Sequence, residues 1–342
     1  MQSIETILSQ PLQIGPVTAR NRVFLAPLSG ISDLPFRQLA WKYGAGLVFT
    51  EMVASRELVT ESRESQVRLR GDGIDPHVVQ LAGREAWWMG EAARIAEAEG
   101  AHMIDINMGC PAKKVTGGYS GSALMRDPDH ALELIEATVK AVSVPVTLKM
   151  RLGWDDDSHN AALIAARAEA AGVQMITVHG RTRMQFYEGV ANWDAIARVR
   201  DAISVPLIAN GDIVSRAAIV ECLRRSGADA VMVGRASRGQ PWICGELAGS
   251  DGVPAPGSER AEIALAHYRM MIEHYGEDVG VRHARKHIGW YLDTLAPGTS
   301  PATKSAMMTA RRAEDVLEMF AEALGDGTVS AALPAPLMES AA

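Results

Sequence analysis

Eight short apolar segments alternate with helix-like segments between Val23 and Val233, and beyond Gly249 only helical patterns remain. This order predicts a (β/α)8 barrel, a TIM barrel of the α/β class, followed by a C-terminal all-helical domain. The competing architecture is an open doubly wound sheet. The count of eight favours closure, and neither a Gly-rich dinucleotide fingerprint nor a Walker-type phosphate loop opens the first unit.

The expected strands are Val23–Ala26, Leu47–Thr50, His77–Leu81, Met103–Ile106, Pro145–Met150, Val173–Val178, Pro206–Ala209 and Asp229–Val233. Their apolar runs are nearly continuous, as parallel strands covered on both faces require. Helices are expected over Glu85–Glu99, Asp129–Val142, Asn160–Ala171, Trp193–Ala202 and Arg216–Ser226. Asp127 before Pro128 reads as an N-cap with proline in the first turn, and Asn192 and Ser215 are further caps.

Near Gly249 the pattern gives way to GSDGVPAPGS, a flexible Gly/Pro/Ser stretch. Four more helices, Glu259–Tyr275, Val281–Leu295, Pro301–Thr309 and Ala313–Leu324, should form a small bundle. The expected organisation is therefore a barrel over residues 1–250, a linker over 251–258, a helical domain over 259–325 and a flexible tail over 326–342.

The 342 residues are 47% hydrophobic and 22% charged, enough for a full core. Only three cysteines occur, Cys110, Cys222 and Cys244, with no CxxC pair, so neither a disulfide framework nor a zinc knuckle is expected. That usage favours the reducing cytoplasm. MQSIETILSQ lacks a basic start followed by an apolar core, and no apolar run reaches membrane-spanning length, so neither targeting nor membrane binding is expected.

A net charge of −7 excludes a uniformly basic nucleic-acid binder and confines any RNA contact to a local patch. One candidate patch holds Arg282, His283, Arg285, Lys286 and His287, with no acid before Asp293. It could contact a phosphate backbone or be simply a solvated helix face. His283 and His287 have metal-ligand spacing, but no carboxylate or thiol completes a set, so no metal is expected.

Polar residues concentrate at the strand ends, where barrels of this class carry their chemistry. They include Pro27, Leu28 and Ser29 after the first strand, Gln80 at the third, Asn107 and Cys110 at the fourth, and Lys149 and Arg151 at the fifth. His179 and Arg181 follow the sixth strand, Asn210, Gly211 and Asp212 the seventh, and Gly234 and Arg235 the eighth. Cys110 has Lys113 and Lys114 nearby, a positive neighbourhood that favours thiol chemistry. Gly211 and Gly234 fall where such barrels often bind phosphate, pointing to a phosphorylated cofactor, and Lys149 in a closed pocket calls for an anionic partner such as a reduced flavin.

LAPLSGISDLPFR (Leu25–Arg37), DINMGCPAKKV (Asp105–Val115), VTLKMRLGWD (Val146–Asp155), HGRTR (His179–Arg183), NGDI (Asn210–Ile213) and MVGRA (Met232–Ala236) stand in order. Together they resemble the tRNA-dihydrouridine synthases, most of all the bacterial B-type branch, over about Leu12 to Leu324. The resemblance implies reduction of the C5=C6 bond of selected tRNA uridines by FMN, recharged by NADPH. It implies that Pro27, Leu28, Ser29, Gln80, Lys149 and His179 line the flavin and that Asn210, Gly211, Asp212, Gly234 and Arg235 hold its ribityl phosphate. Cys110 would be the proton donor. Asn107, Arg151, Arg181, Arg282, Arg285 and Lys286 are expected to meet tRNA, and the protein to act as a monomer. Two other readings stay open: a flavin oxidoreductase of a small pyrimidine-like substrate, and a non-catalytic RNA-binding protein on the same barrel.

Overall fold

The computed structural model of the protein describes residues 4–325, and the expected tail at 326–342 lies outside the described residues. Its strands are β1 (Leu12–Ile14), β2 (Val17–Ala19), β3 (Val23–Leu25), β4 (Val53–Ala54), β5 (Val78–Ala82), β6 (Met103–Met108), β7 (Val146–Arg151), β8 (Ile176–His179), β9 (Leu207–Asn210) and β10 (Ala230–Val233). Strands β1 and β2 form an antiparallel hairpin. The other eight form a parallel sheet in the order β3-β10-β9-β8-β7-β6-β5-β4.

Single bridges, Leu25 to Val48 and Phe49 to Val78, close that sheet into the expected barrel. The run Leu47–Thr50 is thus narrower as a strand than its sequence implies. Thr50 explains the interruption: its N–H donates to the Val78 carbonyl at 3.1 Å, but its hydroxyl accepts the Gln80 N–H at 2.9 Å, replacing a backbone ladder bond by a side-chain one. The ladder resumes at β4, where Val53 opposes Leu81.

Alternation along the strands separates two cores. Outward residues such as Ile104, Ile106, Leu148, Val178 and Val231 belong to the large cluster shared with the surrounding helices. Inward, Phe24, Val78, Met103, Met175, Ile208 and Ala230 pack with Leu12, Ile14 and Ala19, so the hairpin seals the end of the barrel where the strands begin. Polar chemistry is left to the other end. The helices arise largely as anticipated, with Asp127, Asn192 and Ser215 accepting the N–H groups of His130, Ala195 and Ala218 at 3.0–3.1 Å.

Helices Ser258–Tyr275, Glu277–Leu295, Pro301–Thr309 and Ala313–Ala323 follow. They and Ser237–Trp242 make one compact unit, while the residues up to Ala236 and Ile243–Asp251 make the other. The expected division near 250 therefore acquires an earlier crossing at 237. Its reason is Trp242, fully buried with its ring 6.5 Å from that of Tyr291 and 5.0 Å from the Arg260 guanidinium. The helical unit buries Tyr268, Met271, Ile288, Tyr291, Leu292 and Phe320.

Candidate active site

Cys110 lies just beyond the end of β6, half-buried, on a loop held from both sides. Asn107 Oδ1 accepts the N–H groups of Gly109 at 3.2 Å and of Cys110 at 3.1 Å. The Cys110 carbonyl accepts the Ser122 N–H at 3.1 Å and its hydroxyl at 2.8 Å. Gly121 makes that approach possible: its φ is +61°, and a Cβ there would stand 2.9 Å from the Cys110 oxygen. This gives one residue of the Gly-rich stretch after Val115 a structural purpose.

Lys149 and Arg151 both point inward from β7. Lys149 Nζ donates to Asn210 Oδ1 at 3.2 Å, and a Cβ on Gly109 would lie 3.8 Å from that nitrogen, so the ammonium borders the cysteine loop. Burial first, then the Arg151 guanidinium, pushes the Lys149 pKa down to about 8, against the pull of Asp105 and Cys110. Asn210 is fixed by donating Nδ2–H to the Met232 carbonyl at 2.8 Å.

The structure places Arg151 and Arg181 deeper than an RNA-facing role anticipates, each only 1% exposed. Arg151 donates to the carbonyls of Gly109 at 2.7 Å, Thr182 at 2.9 Å and Phe186 at 2.7 Å, tying the cysteine loop to the loop after β8. Arg181 donates to the carbonyls of Glu188 and Gly189 at 2.9 and 2.7 Å and to Asp212 Oδ2 at 2.7 Å. It also stands 3.3 Å from His179 Nε2. A guanidinium can only donate, so Nε2 accepts and a neutral His179 carries its proton on Nδ1. Burial first, and then Arg151, Lys149, Arg181 and Arg235, hold the His179 pKa well below the usual range.

Asp212 has φ +57° and binds the Ala191 N–H at 2.8 Å besides Arg181. Burial opposes its ionisation, but the Arg181 hydrogen bond and the neighbouring guanidinium charges outweigh it and lower its pKa. Arg235 Nη2 lies 3.3 Å from Asp212 Oδ1, and its guanidinium stands 5.3 Å from the Tyr187 ring. Gly211 has φ +115°, and a Cβ there would lie 2.9 Å from the His179 ring. At Gly234 a Cβ would meet nothing within 4 Å.

Pro27 and Leu28 are half-buried and Ser29 exposed, on the loop after β3. Leu28 N–H donates to Ser32 Oγ at 2.8 Å, and Gly30 N–H to the buried Glu51 carboxylate. Gln80 is almost wholly enclosed, its Nε2 donating to Asp105 Oδ2 and its Oε1 accepting from Asn107 Nδ2, both at 2.7 Å. In the separate helical unit, Arg282 is exposed, Lys286 and Arg285 are partly so, and Arg285 Nη2 donates to the Ala310 carbonyl at 3.3 Å.

Sequence reasoning about single residues overlooked Tyr187 and Asp105. Tyr187, half-exposed, stands between the guanidinium groups of Arg151 at 5.4 Å and Arg235 at 5.3 Å. Asp105 is fully buried, a carboxylate inside an apolar strand, and that contrast was its only signal in the sequence.

Comparison with known proteins places this arrangement. The fold is shared at low identity with histamine dehydrogenase from Rhizobium sp. 4-9, at a TM-score of 0.54 and 15% identity over 84% of this chain and 51% of that one. It is likewise shared with TcOYE bound to pHBA, at a TM-score of 0.52 and 15% identity over 71% and 92%. In sequence, a probable tRNA-dihydrouridine synthase of Rhizobium leguminosarum bv. phaseoli is 62% identical over 92% of this chain and 98% of its own. tRNA-dihydrouridine synthase B of Pseudomonas aeruginosa is 44% identical over 94% and 99%. The family model described as dihydrouridine synthase matches residues 24–324, across both the barrel and the helices. A match of that extent, with relatives of this similarity along almost the whole chain, makes the protein a member of the dihydrouridine synthase family.

Proposed function

We propose that the protein reduces the C5=C6 bond of uridines in tRNA, using FMN recharged by NADPH, with Cys110 as the proton donor. The observation that carries this reading is the pairing of a half-buried thiol with a half-buried ammonium bordering the same loop, Cys110 with Lys149, at the polar end of the barrel.

The residues present fit a flavin mononucleotide. Lys149 is a half-buried cation hydrogen-bonded to the neutral Asn210 amide, which suits the anionic edge of a reduced ring. Open space at Gly234, with Gly211 and the Arg235 guanidinium, suits the phosphate. Pro27 to Ser29 and His179 would line the ring, whereas Gln80, 1% exposed, has both ends of its amide committed to Asp105 and Asn107. FMN held there and reduced by NADPH would supply the hydride for C6 of the uracil. Charge then builds toward the uracil O4, and Cys110 gives its Sγ proton to C5, completing the saturated ring. The resulting thiolate is reprotonated from water. The Asn107 and Ser122 contacts keep the thiol-bearing loop in place through this transfer.

Support for tRNA as substrate comes from the relatives' names and from the cationic helix carrying Arg282, Arg285 and Lys286. A tRNA substrate places the proposed activity in the cytoplasm; no described helix is long and apolar enough to cross a membrane. The non-catalytic alternative has no support in a family of oxidoreductases.

The test is to incubate purified protein, FMN and NADPH with unmodified tRNA or with free uridine, and to map dihydrouridine in the product. We expect dihydrouridine at defined tRNA positions alone. Turnover of free uridine as fast as tRNA would favour the small-pyrimidine reading, and a preparation that neither holds nor can be reconstituted with flavin would overturn both.

A further inference from the structure

A chain of buried hydrogen bonds reaches the Cys110 loop from three strands. Its fixed point is the loop itself, because the N–H groups of Gly109 and Cys110 can only donate and the Asn107 atom facing them must be Oδ1. Asn107 Nδ2 is thereby turned toward Gln80 Oε1 at 2.7 Å, which leaves Gln80 Nε2 to donate to Asp105 Oδ2 at 2.7 Å. Asp105 Oδ1 accepts the Thr147 hydroxyl at 2.6 Å. Thr147, Asp105 and Gln80 are each 0–1% exposed and Asn107 8%, so water cannot substitute for a missing partner along most of the chain.

The direction of such a chain needs an anchor. Gln80 and Asn107 are amides that could each be turned end for end, and a reversed chain would set Asn107 Nδ2 against two N–H groups. The loop amides set the direction at one end, and an acceptor on residue 105 facing Gln80 Nε2 holds it at the other. We propose that Asp105 is a positioning residue for the reaction: as the acceptor that ends the chain, it holds Gln80 and Asn107 in the place where Asn107 grips the Gly109 and Cys110 amides, and so the place from which Cys110 presents its thiol. Arg151 and Ser122 grip the same loop by its carbonyls, whereas the relay grips it by the Gly109 and Cys110 amides.

The consequence for the thiol rests on the reading of Cys110 as proton donor, whereas the relay itself does not. A competing view makes Asp105 only a counter-charge for Lys149. The two differ at Asp105→Asn. There Oδ1 can still accept from Gln80 while Nδ2 donates to the Thr147 hydroxyl, which preserves the relay but removes the charge.

The experiment is residue-resolved amide hydrogen exchange on the full-length protein reconstituted with FMN. In Asp105→Ala, exchange at Gly109 and Cys110 should rise about tenfold while Ile106 and Leu148 keep wild-type protection, and flavin reoxidation by saturating tRNA should slow by about tenfold or more. Asp105→Asn should stay within about twofold of wild type in both measurements. Gln80→Met, which severs the chain one step nearer the loop, should reproduce the exchange change and provides the same test should Asp105→Ala not fold. Wild-type exchange at both amides in a folded severed variant overturns the relay, and an equal loss in Asn and Ala assigns Asp105 to charge balance instead. Loosened amides with undiminished reoxidation would overturn the positioning role, and Cys110→Ala then tells separately whether Cys110 is the acid.

Discussion

Lys149 Nζ on β7 reaches across β8 to donate to Asn210 Oδ1 on β9 at 3.2 Å. The ammonium is thus held by a neutral amide, an arrangement suited to receiving an anion rather than to stabilising the fold.

The stability and cofactor effects of removing Lys149 should therefore have opposite signs. At pH 7 the amine is charged whether the chain is folded or not, and the cost of burying that charge is fully present. Between about 8, its folded pKa, and 10.5, its ordinary value, the unfolded chain binds more protons, so this group makes stability rise with pH. Lys149→Met should raise the melting temperature of the flavin-free protein at pH 7, with the advantage shrinking as pH rises through that window. The same variant should lose FMN on gel filtration or resist reduction by NADPH. A variant destabilised at pH 7, or one with unchanged flavin content and reduction rate, would contradict the assignment.

Arg181 and Asp212 present the contrasting case of a cation whose partner is ionic. Arg181 is 1% exposed and 2.7 Å from Asp212 Oδ2. Asp212→Ala leaves that charge buried with only carbonyls and His179 about it, and should destabilise the barrel by about 3 kcal/mol. Denaturant midpoints at constant m would measure this, and a loss below about 1 kcal/mol would show that water solvates the Arg181 charge instead.

The barrel was legible because its strands are apolar on both faces and its helices carry caps such as Asp127 and Ser215. The depth of the strand-end arginines was not. Arg151 and Arg181 read as cations displayed at strand ends, yet the loop from Thr182 to Gly189 folds over them and takes their N–H groups with its carbonyls. Such closure depends on backbone geometry that no residue type announces. The relay was hidden for a related reason: Asp105 meets Gln80 and Thr147 across separations of 25 and 42 residues, so its partners emerge only once strand register is known. Thr50 shows the same dependence, since its hydroxyl enters the ladder only because Gln80 lies opposite.

For the cationic helix, the structure refines which residues to alter. Arg285 is partly engaged with the Ala310 carbonyl, so Arg282 and Lys286 are the better probes of phosphate binding. Arg282→Glu with Lys286→Glu should weaken tRNA binding while leaving reduction of FMN by NADPH at the wild-type rate. The slope of log affinity against log salt should become shallower by about one for each phosphate that the variant no longer neutralises. An unchanged affinity and slope would remove this helix from the RNA interface.

On the proposed mechanism, Cys110 permits the most direct separation of the two half-reactions. Its side chain enters none of the contacts that hold Lys149, Asn210, Asp212 or Arg235, and its loop is anchored through backbone atoms by Asn107 and Ser122. Cys110→Ala should therefore fold, take up FMN and be reduced by NADPH at the wild-type rate. Hydride addition to C6 without a proton for C5 leaves an unquenched anion on the uracil, so reoxidation by unmodified tRNA should slow by about 10²–10⁴-fold, the range for loss of a positioned general acid. Cys110→Ser, with a far weaker acid at the same place, should recover little of that rate. Anaerobic bleaching of the flavin by NADPH, followed by stopped-flow reoxidation on adding tRNA, measures the steps one at a time. If the alanine variant is reoxidised as fast as wild type, the proton comes from elsewhere, and the half-exposed Tyr187 beside Arg151 becomes the next group to alter.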